Sequence, residues 1–203
     1  MKTANIISYV LHPLWMPLFT LVLAYFLDPF IGLHPEMFKF LLLIVLINTI
    51  APGLSILVMK RKGIISDLDI RNRGERLAPF LLFLFYYVLS YILLRFNADI
   101  VPIDIFIIFF SLLISLVSGL LINSQTKISM HLMAIGGLCG VLAGLNVLHL
   151  LGIGWVVAAL LICAGVLGWA RIRMGVHTHP QVYLGFSVGF LIHFAFLYYR
   201  VFV

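Results

Sequence analysis

The run IDIFIIFFSLLISLVSGLLI, Ile103 to Ile122, carries one charge, Asp104, in its first turn. A helix of that length rises about 30 Å, the thickness of a bilayer's hydrocarbon core, and satisfies its backbone hydrogen bonds internally. The run therefore reads as a transmembrane helix. Outward from it, similar apolar runs fall at 6–27, 38–59, 78–95, 130–151, 153–170 and 183–203. His12-Pro13 and Pro17 predict a bent or re-entrant first run, so six or seven spans are expected. Residues 1–203 read as one all-α, polytopic membrane bundle.

Composition agrees with this. Of 203 residues, 64% are hydrophobic and 10% charged, and the mean hydropathy of +1.19 exceeds what a soluble domain of this size can bury. A soluble enzyme is excluded, membrane lipids are the expected surroundings, and no nucleic-acid partner is expected. Lys2 precedes a long apolar run without a small-residue cleavage site, so the first span is expected to stay in the mature protein. Cys139 and Cys163 fall inside spans and read as inert hydrophobes. Gly136, Gly140 and Gly144, with Gly185 and Gly189, have the spacing that lets helix backbones approach closely.

The charges are segregated. With seven spans, one face of the membrane holds the segments 60–77, 123–129 and 171–182. It carries Lys2, Lys60, Arg61, Lys62, Arg71, Arg73, Arg76, Lys127, Arg171 and Arg173, ten of the 13 basic residues. Lys39, Arg95 and Arg200 lie opposite. By the positive-inside rule the first face is cytoplasmic, in a bacterial plasma membrane.

Three polar clusters meet on that face: Asp67 to Arg76, Lys127-Ile-Ser129-Met-His131, and Arg171 to Gln181. Charge at the end of a span is expensive, which marks these clusters as candidates for chemistry. Together they offer cations for an anion, imidazoles for nucleophilic and acid–base steps, and carboxylates.

Arg171, five residues, His177, three residues, Gln181 resembles the third signature of the type 2 phosphatidic acid phosphatase superfamily, which reads Ser-Arg, five residues, His, three residues, Asp. Ser129-Met-His131 is similar to its second signature, Pro-Ser-Gly-His, and two spans separate the motifs in the same order. The resemblance covers about the last two fifths of the chain. It implies a lipid phosphatase in which His177 attacks phosphorus, His131 protonates the leaving oxygen and then activates water, and Arg171 and Ser129 bind phosphate oxygens. The first signature, Lys, six residues, Arg-Pro, is not cleanly present: Lys127 is a candidate substitute for one of its cations, Arg76 is a further candidate phosphate-binding cation in a segment only loosely similar to it and treated as distinct, and no metal or organic cofactor is implied. Two departures matter: Gln181 replaces the Asp that orients the nucleophile, and Ala170 replaces a Ser. Gln181 can still accept from the imidazole, four residues placing the pair on one helical face. Asp67 or Asp69, with Arg73 nearby, is the expected source of the missing charge.

Plainer readings stand beside these. Lys60, Arg61, Lys62 and Arg173 read as headgroup anchors. Arg71, Arg73 and Arg76 could form a neutralised turn with Asp67, Asp69 and Glu75. His12, His149 and His193, each alone on an apolar stretch, read as hydrogen-bonded packing residues, while His179 is ambiguous. Asp67 and Asp69 also resemble the acidic pair with which membrane prenyltransferases hold Mg²⁺, although a second acidic motif is missing. The remaining alternative is a lipid-phosphate binder or transporter without turnover.

Overall fold

The structure, a computed structural model, describes residues 2–34, 36–68, 70 and 72–200. Among these residues, seven helical spans are long and apolar enough to cross a bilayer: Lys2–Leu27, Met37–Arg61, Arg73–Arg95, Ile103–Gln125, Met130–His149, Gly154–Arg173 and His179–Arg200. The protein is an all-α polytopic membrane bundle. Large apolar side chains such as Phe26, Phe85, Leu121 and Ile162 face outward, as a lipid solvent permits.

The first two spans are interrupted. Helix α1 (Lys2–Val10) ends before His12, whose Nδ1 accepts the N–H of Leu14 at 3.2 Å. Pro13–Trp15 then turns as a 3₁₀ segment into α2 (Met16–Leu27). Pro13 has no N–H to lose at the first position of this turn, so the break is cheap there. A short α3 (Pro29–Gly32) follows. The second span joins α4 (Met37–Val45) to α5 (Ala51–Arg61) through a π turn at Leu46–Ile50, just before Pro52. The remaining spans contain α6 (Leu77–Arg95), α7 (Ile103–Gln125), α8 (Met130–His149), α9 (Gly154–Arg173) and α10 (His179–Arg200).

Helix α8 is the centre of the bundle: 72% of its span is buried, against 22% to 33% for the others. Its closest partner is α10, which runs beside it in the same direction. A Cβ at Gly136 would overlap the carbonyl of Phe186, and one at Gly189 would overlap that of Met133, so the backbones touch where side chains would otherwise separate them. The glycine spacing in the sequence is thus used within a single helix pair.

The polar segment expected at 171–182 is much shorter in the fold. Arg171 lies in the last turn of α9, and α10 starts at His179 rather than near 183, so only 174–178 connects them. Gly175 takes a φ of 68°, which a glycine adopts without strain, and Pro180 suits the first turn of α10. Cys139 is buried as expected, but Cys163 is exposed, because α9 turns Ala164, Leu167 and Ala170 inward instead.

At the opposite end of the bundle, His149 is not alone as its sequence context suggested. Its Nδ1–H donates to Asp28 Oδ2 at 2.6 Å, and its Nε2 lies 3.7 Å from Asp104 Oδ2. Asp104 in turn pairs with Arg200. The ends of four spans meet in this one polar cluster.

Candidate functional site

The third-motif residues are placed by the turn between α9 and α10. His177 is buried just before α10, and Gln181 in the first turn reaches back over it. Gln181 Oε1 accepts the backbone N–H of Thr178 at 3.3 Å and stands 3.0 Å from His177 Nδ1. An amide oxygen has no proton to give, so His177 Nδ1 is the donor and carries the hydrogen. The lone pair of a neutral His177 is therefore on Nε2. The pairing expected from a helical i, i+4 face arises instead from a capping geometry, with only Gln181 inside the helix.

Burial pushes the His177 pKa down to about 4; Arg171, Arg76 and Lys127 act in the same direction, and the hydrogen bond to Gln181 opposes them. The imidazole is neutral near pH 7.

A cavity of about 170 Å³ opens beside this pair. Arg76, His131, Arg171 and His177 all line it, so the structure brings the first, second and third clusters to one space. The cavity continues into the membrane between Phe83, Tyr87, Leu112 and Leu138. Two guanidinium groups and four imidazoles, those of His12, His131, His177 and His193, line it, and the rest of its wall is largely hydrocarbon.

Arg171 is 2% exposed at the end of α9, where a cation also complements the helix dipole. Arg76 is 6% exposed and is fixed by its own framework: Nε donates to Ile70 O at 3.0 Å, and Nη1 to Asn123 Oδ1 and Ile128 O, each at 3.1 Å. Arg73 donates to the carbonyls of Asn123 and Ser124 at the C-terminus of α7 and does not line the cavity. Glu75 accepts from Ser66 N at 2.7 Å, from Ser66 Oγ at 2.9 Å and from Asn72 Nδ2 at 3.1 Å. Glu75 is thus held by hydrogen bonds from neutral groups.

Ser129, Lys127 and Asp67 are not among the residues that line the cavity. Ser129 precedes α8, its backbone N–H donating to Gln181 O at 3.3 Å, while its Oγ is buried without a hydrogen-bond partner among the described residues. Lys127 is half-buried and within electrostatic reach of His177. Asp67 is half-buried and acts electrostatically on Arg76, which lines the cavity. Asp69 and Arg71 lie outside the described residues. Lys60, Arg61, Lys62 and Arg173 are exposed, as headgroup anchors would be, and His179 is exposed with its ring stacked on Tyr183.

Three residues join the site without a signal in the sequence. His12 and His193, read as packing residues, both line the cavity. The His12 ring meets that of His131 edge-on, with centroids 5.1 Å apart. His193, deep in α10, donates from Nδ1 to Gly189 O at 2.8 Å. The third is Ser8 of α1, whose Oγ lies 2.6 Å from Arg171 Nη1 and 3.3 Å from His131 Nε2. Only the break at His12-Pro13 hinted that the first span does more than cross the membrane.

Compared with family models, with curated proteins and with solved structures, the chain shows no match.

Proposed function

We propose that this protein is a membrane lipid phosphatase, a divergent member of the type 2 phosphatidic acid phosphatase superfamily. Its substrate is a phosphate mono- or diphosphate ester of a glycerolipid or a polyprenyl lipid. The observation that carries this reading is the hydrogen bond from His177 Nδ1 to Gln181 Oε1, which leaves Nε2 as the nucleophilic atom beside a cavity shared with Arg76, Arg171 and His131. Gln181 can fix the tautomer as an Asp would, without supplying its charge.

In this scheme the phosphate sits against Arg171 and Arg76, with Lys127 adding positive potential, and the lipid chain lies along the apolar wall. His177 Nε2 forms a bond to phosphorus while the bond from phosphorus to the lipid oxygen breaks. His131, as imidazolium, gives its proton to that oxygen. It then takes a proton from water, whose oxygen attacks the phosphohistidine; inorganic phosphate leaves and His177 is regenerated. The chemistry uses no metal or organic cofactor. The basic residues around the site favour a cytoplasmic active face in a bacterial plasma membrane.

The test is phosphate release by the purified protein in detergent, over a panel of lipid mono- and diphosphates. Release that resists chelator and disappears in His177→Ala is the expected result. Chelator-sensitive release that survives His177→Ala would instead point to Mg²⁺ chemistry near Asp67. Binding that depends on Arg171 without any release would identify a lipid-phosphate binder.

A further inference from the structure

Ser8 is 3% exposed and belongs to a nine-residue helix packed along α9. Its Oγ is within hydrogen-bond distance of two groups that the proposed reaction assigns to separate tasks: Arg171 Nη1 at 2.6 Å and His131 Nε2 at 3.3 Å. A guanidinium only donates, so Ser8 Oγ accepts from Arg171, and its own proton remains available for another partner. His131 Nε2 is that partner when it bears a lone pair.

We propose that Ser8 is a positioning residue of this site, holding the His131 ring against Arg171 through both protonation states of the imidazole. A hydroxyl can do this because it rotates. It donates to Nε2 when the nitrogen is bare and offers its second lone pair to Nε2–H when the nitrogen is protonated, while Arg171 keeps the oxygen in place. A methyl group could do neither, and a carbonyl could serve only the protonated form. This inference rests on the phosphatase reading for its catalytic consequence, whereas the state of the His131 nitrogens tests it independently.

The experiment compares wild type, Ser8→Ala and Ser8→Thr, each labelled with ¹⁵N-histidine and assigned with a His131→Gln control. Melting temperatures in the same detergent accompany the kinetics. Ser8→Ala is expected to shift the His131 Nε2 resonance and to lower kcat about 10- to 100-fold, part of the roughly 10²–10⁴ that a general acid contributes, with little change in KM. Ser8→Thr, which keeps the hydroxyl, is expected to restore both readouts even if its added methyl lowers the melting temperature. An unchanged His131 signal in Ser8→Ala, or a kcat equal to that of wild type, would reduce Ser8 to helix packing and overturn the inference. If wild type releases no phosphate from any lipid, the proposed function fails; the resonance then decides Ser8 alone, a shift supporting the contact and no shift refuting it.

Discussion

His149 donates to Asp28 across 2.6 Å, joining the end of the fifth span to the end of the first at the membrane face opposite the cavity. The Asp28 side chain is 0% exposed and that of His149 is 10% exposed. Removing one member of a buried polar pair leaves the other desolvated without that partner, which costs about 3 kcal/mol or more. His149→Ala is therefore expected to lower the melting temperature clearly while sparing lipid-phosphate binding. Equal melting temperatures would show that the cluster contributes nothing to stability.

The depressed pKa of His177 makes a prediction about pH. In the proposed reaction its neutral form is the nucleophile, so activity is expected to fall on the acid side only as the folded group takes up a proton. The His177 contribution to the acid limb of kcat/KM is expected near pH 4, well below the 6.5 of an unperturbed imidazole. Linkage runs in the same direction. The unfolded chain protonates His177 first, so its contribution to stability is whole above about pH 6.5 and declines as pH falls toward 4, by on the order of 3 kcal/mol in all. A ¹⁵N titration of His177 centred near 6.5 would contradict the buried, cation-flanked setting.

Gln181 is the clearest departure from the phosphatase pattern and the simplest to reverse. Gln181→Leu leaves the Nδ1–H of His177 and the N–H of Thr178 without this acceptor. Phosphate release is expected to drop about 10- to 100-fold, as when an orienting partner behind a functional histidine is lost. Gln181→Asp restores a charged acceptor and is expected to raise the rate above wild type. Steady-state kinetics of the pair, with melting temperatures as a folding control, check both directions.

The contact between α8 and α10 predicts an asymmetric response to alanine. Gly189→Ala pushes a methyl into the Met133 carbonyl, and Gly165→Ala on α9 meets nothing within 4 Å. The first is expected to cost several kcal/mol or prevent folding, the second to be neutral or slightly stabilising. Size-exclusion profiles and thermal melts distinguish these outcomes.

The spans were legible because hydrocarbon thickness imposes one length and one composition on each of them. The pairing of His177 with Gln181 was legible because it is local, although the fold achieves it by a cap rather than along a helix. Ser8, His193 and the cluster around His149 were hidden for the opposite reason. A serine or histidine within an apolar run has no periodicity to mark it, and its partner is set by which helices become neighbours. Ser8 and Arg171 stand 163 positions apart.

That long separation bears on how the protein is made. A ribosome threading this chain into the membrane lays down α1 well before Gln181, so a product that stops between them lacks part of the site's set of groups. Arg171, His177 and Gln181 come together with α9 and α10, when α10 docks against α8. A chain stalled before α10 would lack Gln181 and His193, and with them part of the set of groups gathered at the cavity.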